Sequence, residues 1–275
     1  MKILYEFIFR RLSTKTKNRL GSSHFFKPLR DVLLRNNGRF KEIFVEIEKY
    51  YLEYPIKFRY YASIKSAIKA RDKGVENTIL RNSIILSKQL HKSHDDCIVI
   101  DVGSNFGFMS MVWGLSICKK GTVHSFEANK NVYNSFLKSL DHNNLKNIIL
   151  RYNAIGKTNK TVKMYHMDTT SNFNKTNNTD KYDMVQMLTL DSYDNQNQLG
   201  RCDIIKIDVD GIEYDILQGS LEVMERYQPL YIVETNDDPR IIDFFITNNY
   251  HILDMALEPY ILNTQLPPNI FCLPK

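Results

Sequence analysis

Cysteine is scarce and spaced without pattern. Cys97, Cys118, Cys202 and Cys272 lie far apart and form no Cys-x-x-Cys pair, which argues against a zinc site and against a disulfide framework. Each adjoins an apolar stretch, the usual setting of a buried, reduced thiol. No apolar run approaches the roughly 20 residues needed to span a bilayer. The opening segment, Met1 to Arg11, has too short an apolar core for a secretory signal and is interrupted by Glu6, so the expected location is the cytoplasm. Gly-x-Gly-x-x-Gly is absent, and so is the Gly-Lys-Ser/Thr of a Walker A loop. No internal repeat is visible.

Net positive charge is lacking over most of the chain as well. The net charge is +6, yet residues 1–40 carry ten Lys or Arg against Glu6 and Asp31, a local +8 that leaves −2 for the remainder. The broad positive field that nucleic acid demands is therefore missing after residue 40. At the N-terminus, Ile3, Leu4, Phe7, Ile8 and Leu12 share one helical face with Lys and Arg around it. That pattern permits either a helix resting on an anionic membrane surface through residues 1–20 or a short helix packed on the main domain.

With 43% apolar and 25% charged residues in 275, the chain suits one large soluble domain with an appendage. The expected division is a basic, aromatic-rich helical region over residues 1–75 and a second domain over residues 76–275. Phe40 to Tyr61 is expected to be helical with a break at Pro55, followed by helices over Ala62 to Ala70 and Thr78 to Leu90. His91 and His94 fall in a polar turn and are expected to be solvated.

The most informative stretch is Ile98-Val99-Ile100-Asp101-Val102-Gly103-Ser104-Asn105-Phe106-Gly107. It reads as a buried strand, a tight glycine turn and then a helix, the way α/β nucleotide sites begin. Glycine there suits the close approach of a cofactor. Twenty residues further on, Gly121 to Glu127 reads as a strand ending in a carboxylate, where this architecture hydrogen-bonds ribose hydroxyls. A regular alternation follows. Asn129 is a candidate N-cap for a helix to Leu140, Asn147 to Tyr152 a strand, and Thr161 to His166 with Met184 to Leu188 a possible hairpin. Between the last two, Asp168 to Lys181 is too polar to pack, and is either a surface insertion or a lid. Strands at Asp203 to Asp208 and Pro229 to Glu234, helices at Ile212 to Leu221 and Arg240 to Thr247, and an antiparallel pair at Tyr250 to Met255 and Ile270 to Leu273 complete a doubly wound sheet.

Asp101, Glu127, Asp208 and Glu234 all fall at the carboxyl ends of strands, where open α/β sheets bind ligands. Period-two geometry puts Lys206 and Asp208 on one face of their strand. A buried Lys206 needs a carboxylate partner, which Asp208 or Glu234 can supply. Asp210 and Glu213 follow in the turn, either as helix-capping charge or as part of a site.

Asp-x-Gly-x-Asn-x-Gly resembles the first motif of class I S-adenosylmethionine (SAM)-dependent methyltransferases. Ile100 to Gly107, Ser125 to Asn129, Asn153 to Gly156, Thr189 to Asp191, Ile205 to Glu213 and Pro229 to Glu234 together resemble the successive landmarks of the FkbM family of methyltransferases. Asp210 stands where the family has Glu, and Ala128 where it has proline. The resemblance covers roughly residues 75–273. It implies a Rossmann-like, mostly parallel sheet with an antiparallel C-terminal strand. It also implies SAM-dependent O-methylation, often of sugar hydroxyls in glycans. By analogy, Gly103 and Gly107 would line the methionine part of SAM, Glu127 its ribose, and Asn153 and Ala154 would lie near adenine. Asp101, Ser104, Asn105, Ala128 and Asp208 complete the expected cofactor set.

Methyl transfer is an in-line displacement on an already activated carbon, so positioning supplies most of the acceleration, and a base helps a sugar hydroxyl to attack. Asp208, with Lys206 and Glu234 beside it, is the candidate base. Alternatively Asp208, Asp210 and Glu213 hold Mg²⁺, which would lower the hydroxyl pKa. The rival readings are an RNA ribose 2′-O-methyltransferase, favoured by the basic N-terminus, and a scaffold that has kept the fold without catalysis.

Overall fold

The computed structural model describes residues 35–36, 39–90, 95–167, 170–172 and 182–275. The expected N-terminal amphipathic helix, the His91–His94 turn and most of the polar segment after Asp168 lie outside these residues.

After a minimal pair of strands, β1 (Arg35–Asn36) and β2 (Arg39–Phe40), a long antiparallel hairpin forms from β3 (Glu42–Tyr51) and β4 (Tyr54–Ser63). This overturns the helical expectation for Phe40 to Tyr61, and with it a wholly helical N-terminal region. Ile43, Val45 and Ile47 alternate with Phe44, Glu46 and Glu48, and only the first set is buried. That is the period of a half-buried strand. The turn conceals the hairpin, because it contains neither Gly nor Asn and sets Leu52 at φ 55, a conformation two-residue hairpins usually give to those residues. Pro55 is tolerated because each strand of a two-stranded sheet has a free edge. Side chains of a later helix cover part of that edge: Ser139 Oγ accepts from Tyr61 N at 3.0 Å and Asn143 Oδ1 from Arg59 N at 2.8 Å.

Two helices follow, as expected. In α1 (Ile64–Lys73), Ser63 caps the first turn by accepting from Ser66 N; α2 (Asn77–Leu90) buries Ile79, Leu80 and Ile84. The alternating part then begins with β5 (Ile98–Val102), α3 (Phe108–Gly114), β6 (Thr122–Phe126), α4 (Lys130–Asn143) and β7 (Ile148–Arg151). Asn129 is the N-cap of α4, its side chain accepting from Asn131 N and Val132 N.

A side sheet interrupts next. In it β8 (Ala154–Ile155) runs parallel to β11 (Tyr182–Leu188), while β9 (Lys160–Met167) pairs antiparallel with β11 and with β10 (Thr170–Asn172). The chain finishes with α5 (Leu190–Asn197), β12 (Ile204–Ile207), α6 (Glu213–Gln218), α7 (Leu221–Tyr227), β13 (Leu230–Glu234), α8 (Pro239–Thr247), β14 (Tyr250–Leu253) and β15 (Asn269–Pro274).

The main sheet has seven strands in the order β14-β15-β13-β12-β5-β6-β7. In it β15 runs antiparallel to both its neighbours and the remaining pairs are parallel. Strand order reverses between β5 and β12, so a crevice opens at their carboxyl ends. One apolar core joins Ile43, Ile47, Phe58 and Tyr60 of the hairpin to Val99, Trp113 and Val123 of the alternating part. The boundary expected at residues 75 and 76 therefore passes through a shared core. Trp113 is fully buried and still donates its indole N–H to Ser83 Oγ at 2.9 Å, which satisfies the polar end of an otherwise apolar side chain. Among the described residues no helix is long and apolar enough to cross a membrane.

Candidate active site

The polar centre of the molecule sits beneath the strand-order reversal. Asp101 on β5 is completely buried. Its Oδ2 accepts from Ser110 Oγ at 2.5 Å, Ser110 Oγ accepts in turn from Ser125 Oγ at 2.9 Å, and Oδ1 faces Lys206 Nζ at 3.2 Å. Lys206 on β12 also donates to the carbonyls of Gly103 (2.9 Å) and Val102 (3.3 Å) and reaches Asp208 Oδ2 at 3.5 Å. Burial pulls the Lys206 pKa down, but Asp101 and Asp208 outweigh it and hold the group above its ordinary value. Lys206 thus stays an ammonium. Its main partner is Asp101, an assignment strand periodicity could not supply because it depends on β5 lying beside β12.

Above this network is a cavity of about 340 Å³. It gathers Asp101, Gly103, Ser104, Asn105, Glu127, Ala128, Asn153, Ala154, Lys206, Asp208 and Asp210 from separate stretches of sequence into one lining. The glycine turn is stitched to the end of β6: Gly103 N and Ser104 N both donate to Phe126 O, at 3.1 and 3.0 Å. Glu127, partly buried, accepts from Asn105 N at 2.9 Å and Asn129 N at 2.6 Å. Burial pushes its pKa up to about 7, against the pull of those two N–H groups and of Lys206.

Packing imposes its own requirement for glycine at both positions, and Gly103 alone lines the cavity as expected. Gly103 has φ 74, and a Cβ there would lie 2.0 Å from the Asp208 carbonyl oxygen. Gly107, at φ 79, would meet the Phe136 ring at 2.0 Å and does not line the cavity. Both turns are pressed against the protein itself. Gly103→Ala combines left-handed strain with a backbone clash, so a loss of about 2 kcal/mol or more in denaturant unfolding is expected; a wild-type midpoint would contradict this packing.

Beside Asp208 the acidic residues divide in two. Glu213 Oε1 accepts from Val209 N (3.1 Å), Gly211 N (3.2 Å) and Asn236 Nδ2 (2.8 Å), and so braces the loop after β12. Glu234 lies outside the cavity lining. Burial and then the negative charge of Asp208 raise its pKa to about 7. Among the described residues no three His, Cys, Asp or Glu side chains are placed to hold a metal ion. The expected Mg²⁺ site at Asp208, Asp210 and Glu213 does not fit this geometry, since Glu213 is committed to its own loop.

Several lining residues carried no recognisable signal. Tyr60 comes from the hairpin, Ser66 and Lys69 from α1, Val75 and Glu76 from the loop before α2, and Met164 from β9. Their position depends on how the hairpin docks: Phe106 of the glycine turn packs edge-on against Phe40 and Tyr60, with ring centroids 5.2 and 6.5 Å apart. A second cavity of about 570 Å³ shares Asp210 and Ile212 with the first, and Lys157, Lys160 and Lys163 line it.

The sheet order with antiparallel β15, the glycine turn at the reversal and the acid ending β6 define a class I methyltransferase fold. The chain belongs to the FkbM methyltransferase family, whose model, the methyltransferase FkbM domain, matches residues 101–254, more than half of its length. Among solved structures, the chain is similar to methyltransferase FkbM from Methylobacillus flagellatus KT at 15% identity and TM-score 0.45, over 65% of this chain and 44% of that one. It thus spans less than half of that protein. It is also similar to an rRNA methylase from Streptococcus thermophilus (12% identity, TM-score 0.41, 71% of this chain and 95% of that one). A methyltransferase from Geobacter sulfurreducens matches at 12% identity and TM-score 0.41, over 74% and 84% of the two chains. No curated protein sequence matches significantly.

Proposed function

We propose that this FkbM-family chain moves the methyl group of SAM to a hydroxyl oxygen, and that the hydroxyl belongs to a sugar in a glycan or glycoconjugate. The observation that carries the reading is Asp208. Its side chain is 39% exposed at the cavity while Lys206, 4% exposed, fixes it from behind. An oriented carboxylate at the strand-order reversal is what a hydroxyl needs to lose its proton as it attacks.

The cavity residues suit SAM chemically. Glu127 offers carboxylate oxygens to ribose hydroxyls, Ala128 leaves room beside it, and Asn153 and Ala154 line the same cavity for adenine. The Gly103-Ser104-Asn105 turn lines the same cavity. Bound SAM would supply a methyl carbon already activated by its sulfonium. The protein holds the acceptor oxygen in line and takes its proton at Asp208, while Lys206 keeps that carboxylate aimed.

A neutral acceptor accords with the charge. Asp208 interacts with both Asp210 and Glu234 at the site, and negative charge there disfavours an anionic acceptor. Residues 1–20 would serve as a peripheral contact with an anionic membrane surface in the cytoplasm. The test is transfer of labelled methyl from SAM to neutral oligosaccharides and, in parallel, to capped RNA. Alkali-stable label on glycan hydroxyls is expected; label confined to RNA would overturn the acceptor.

A pH dependence follows from Glu127. Its folded pKa, about 7, lies above the ordinary 4.5. Its contribution to stability is therefore complete below about pH 4.5 and lost as pH rises through 7. SAM binding should run the opposite way, tightening between pH 6 and 8 as the carboxylate ionises and accepts from the ribose. Titrations at the two pH values check this, and Glu127→Gln should flatten the difference.

A further inference from the structure

We infer that the amino-acid end of the methyl donor is held by charges outside the segment that matches the FkbM domain: Lys69 for the carboxylate and Glu76 for the ammonium. The inference rests on the cavity being the SAM site.

Four observations lead to it. First, the acid that opens the glycine motif is unavailable. Asp101 is completely buried, with Ser110 on one oxygen and Lys206 on the other; with Glu127 given to the ribose and Asp208 to the acceptor, Asp210 and Glu76 are the lining carboxylates left for an ammonium, and Glu76 is the one that stands with Lys69 and Ser66 ahead of the glycine turn. Second, Ser66 and Lys69 lie three residues apart on α1 and share a helix face. With Glu76, which precedes α2, they line the same cavity as Gly103, Ser104 and Asn105.

Third, these elements sit beside the glycine turn. Ile64 N donates to Lys41 O at 3.2 Å at the start of α1, and Phe40 and Tyr60 pack on Phe106 of the turn. The loop that presents Glu76 is anchored, because Asn77 Nδ2 donates to Lys73 O at 2.7 Å and Asn77 Oδ1 accepts from Tyr51 OH at 2.8 Å. Fourth, among the described residues neither Lys69 nor Glu76 has a side-chain hydrogen bond or ion pair, to each other or to any other group. Opposite charges that face one cavity without neutralising each other complement a zwitterion, and an α-amino acid is one. Ser66 adds a hydroxyl donor for the carboxylate.

The inference separates ligands that share the nucleoside and differ in the amino acid. S-adenosylhomocysteine carries the zwitterion; methylthioadenosine lacks it. In calorimetric titrations of the full chain, Lys69→Ala and Glu76→Gln should each weaken S-adenosylhomocysteine about tenfold or more and leave methylthioadenosine within about twofold. Lys69→Arg should retain most of the affinity. Equal weakening of both ligands, or no change in either, would overturn the assignment while leaving the cofactor site in place. A folded wild type that binds neither ligand would remove the site reading itself, and this inference with it.

Discussion

Lys206→Met should lower the stability of the protein by about 3–5 kcal/mol, the usual cost of removing one partner from a buried ion pair. The reason lies in what remains. Asp101 is fully buried with its Oδ1 turned to Lys206 Nζ, and without the ammonium that oxygen has only low-dielectric surroundings. The Gly103 and Val102 carbonyls lose a donor in the same step, which loosens the glycine turn. Pairing the change with Asp101→Asn removes the stranded charge, so the double variant should recover much of the loss; the cycle measures the coupling directly. Urea unfolding of the four proteins reads it out. A single-variant loss under about 1 kcal/mol would show that the pair is not the keystone of this site.

The second large effect concerns chemistry rather than folding. Asp208→Asn keeps the size of the side chain but leaves it unable to take a proton, and kcat should fall about 10²- to 10⁴-fold. SAM affinity should stay within about threefold, because Lys206 retains Asp101 and the cofactor end of the cavity is untouched. A kcat within threefold of wild type would mean that positioning alone accelerates the reaction and that Asp208 is a structural neighbour. Glu234→Gln should act more mildly, since Glu234 reaches the site only through Asp208.

The alternating part of the fold is legible in the sequence because each strand is a short apolar run closed by a turn residue. Asn129 capping α4 and the antiparallel β14–β15 pair could be placed from local chemistry alone. The hairpin could not, although Ile43, Val45 and Ile47 keep strict period two: Leu52 takes the left-handed turn position without any residue that announces it. The site divides the same way. Glu127 and Asp208 are marked by their place at strand ends, a local feature. That Asp101 is the main partner of Lys206, that Glu213 braces its own loop, and that Gly107 is packed against Phe136 are facts of tertiary contact between segments distant in sequence. Lys69 and Glu76 had no local mark, because they reach the cavity only through the docking of the hairpin.

The most direct test of the account is a calorimetric titration of SAM into the wild type and Glu127→Ala at pH 8. Micromolar binding is expected, weakened by the substitution by about 1–3 kcal/mol, the cost of losing a buried hydrogen-bond partner. A well-folded wild type that binds no SAM would contradict it, and would leave a scaffold that has the methyltransferase fold without its chemistry.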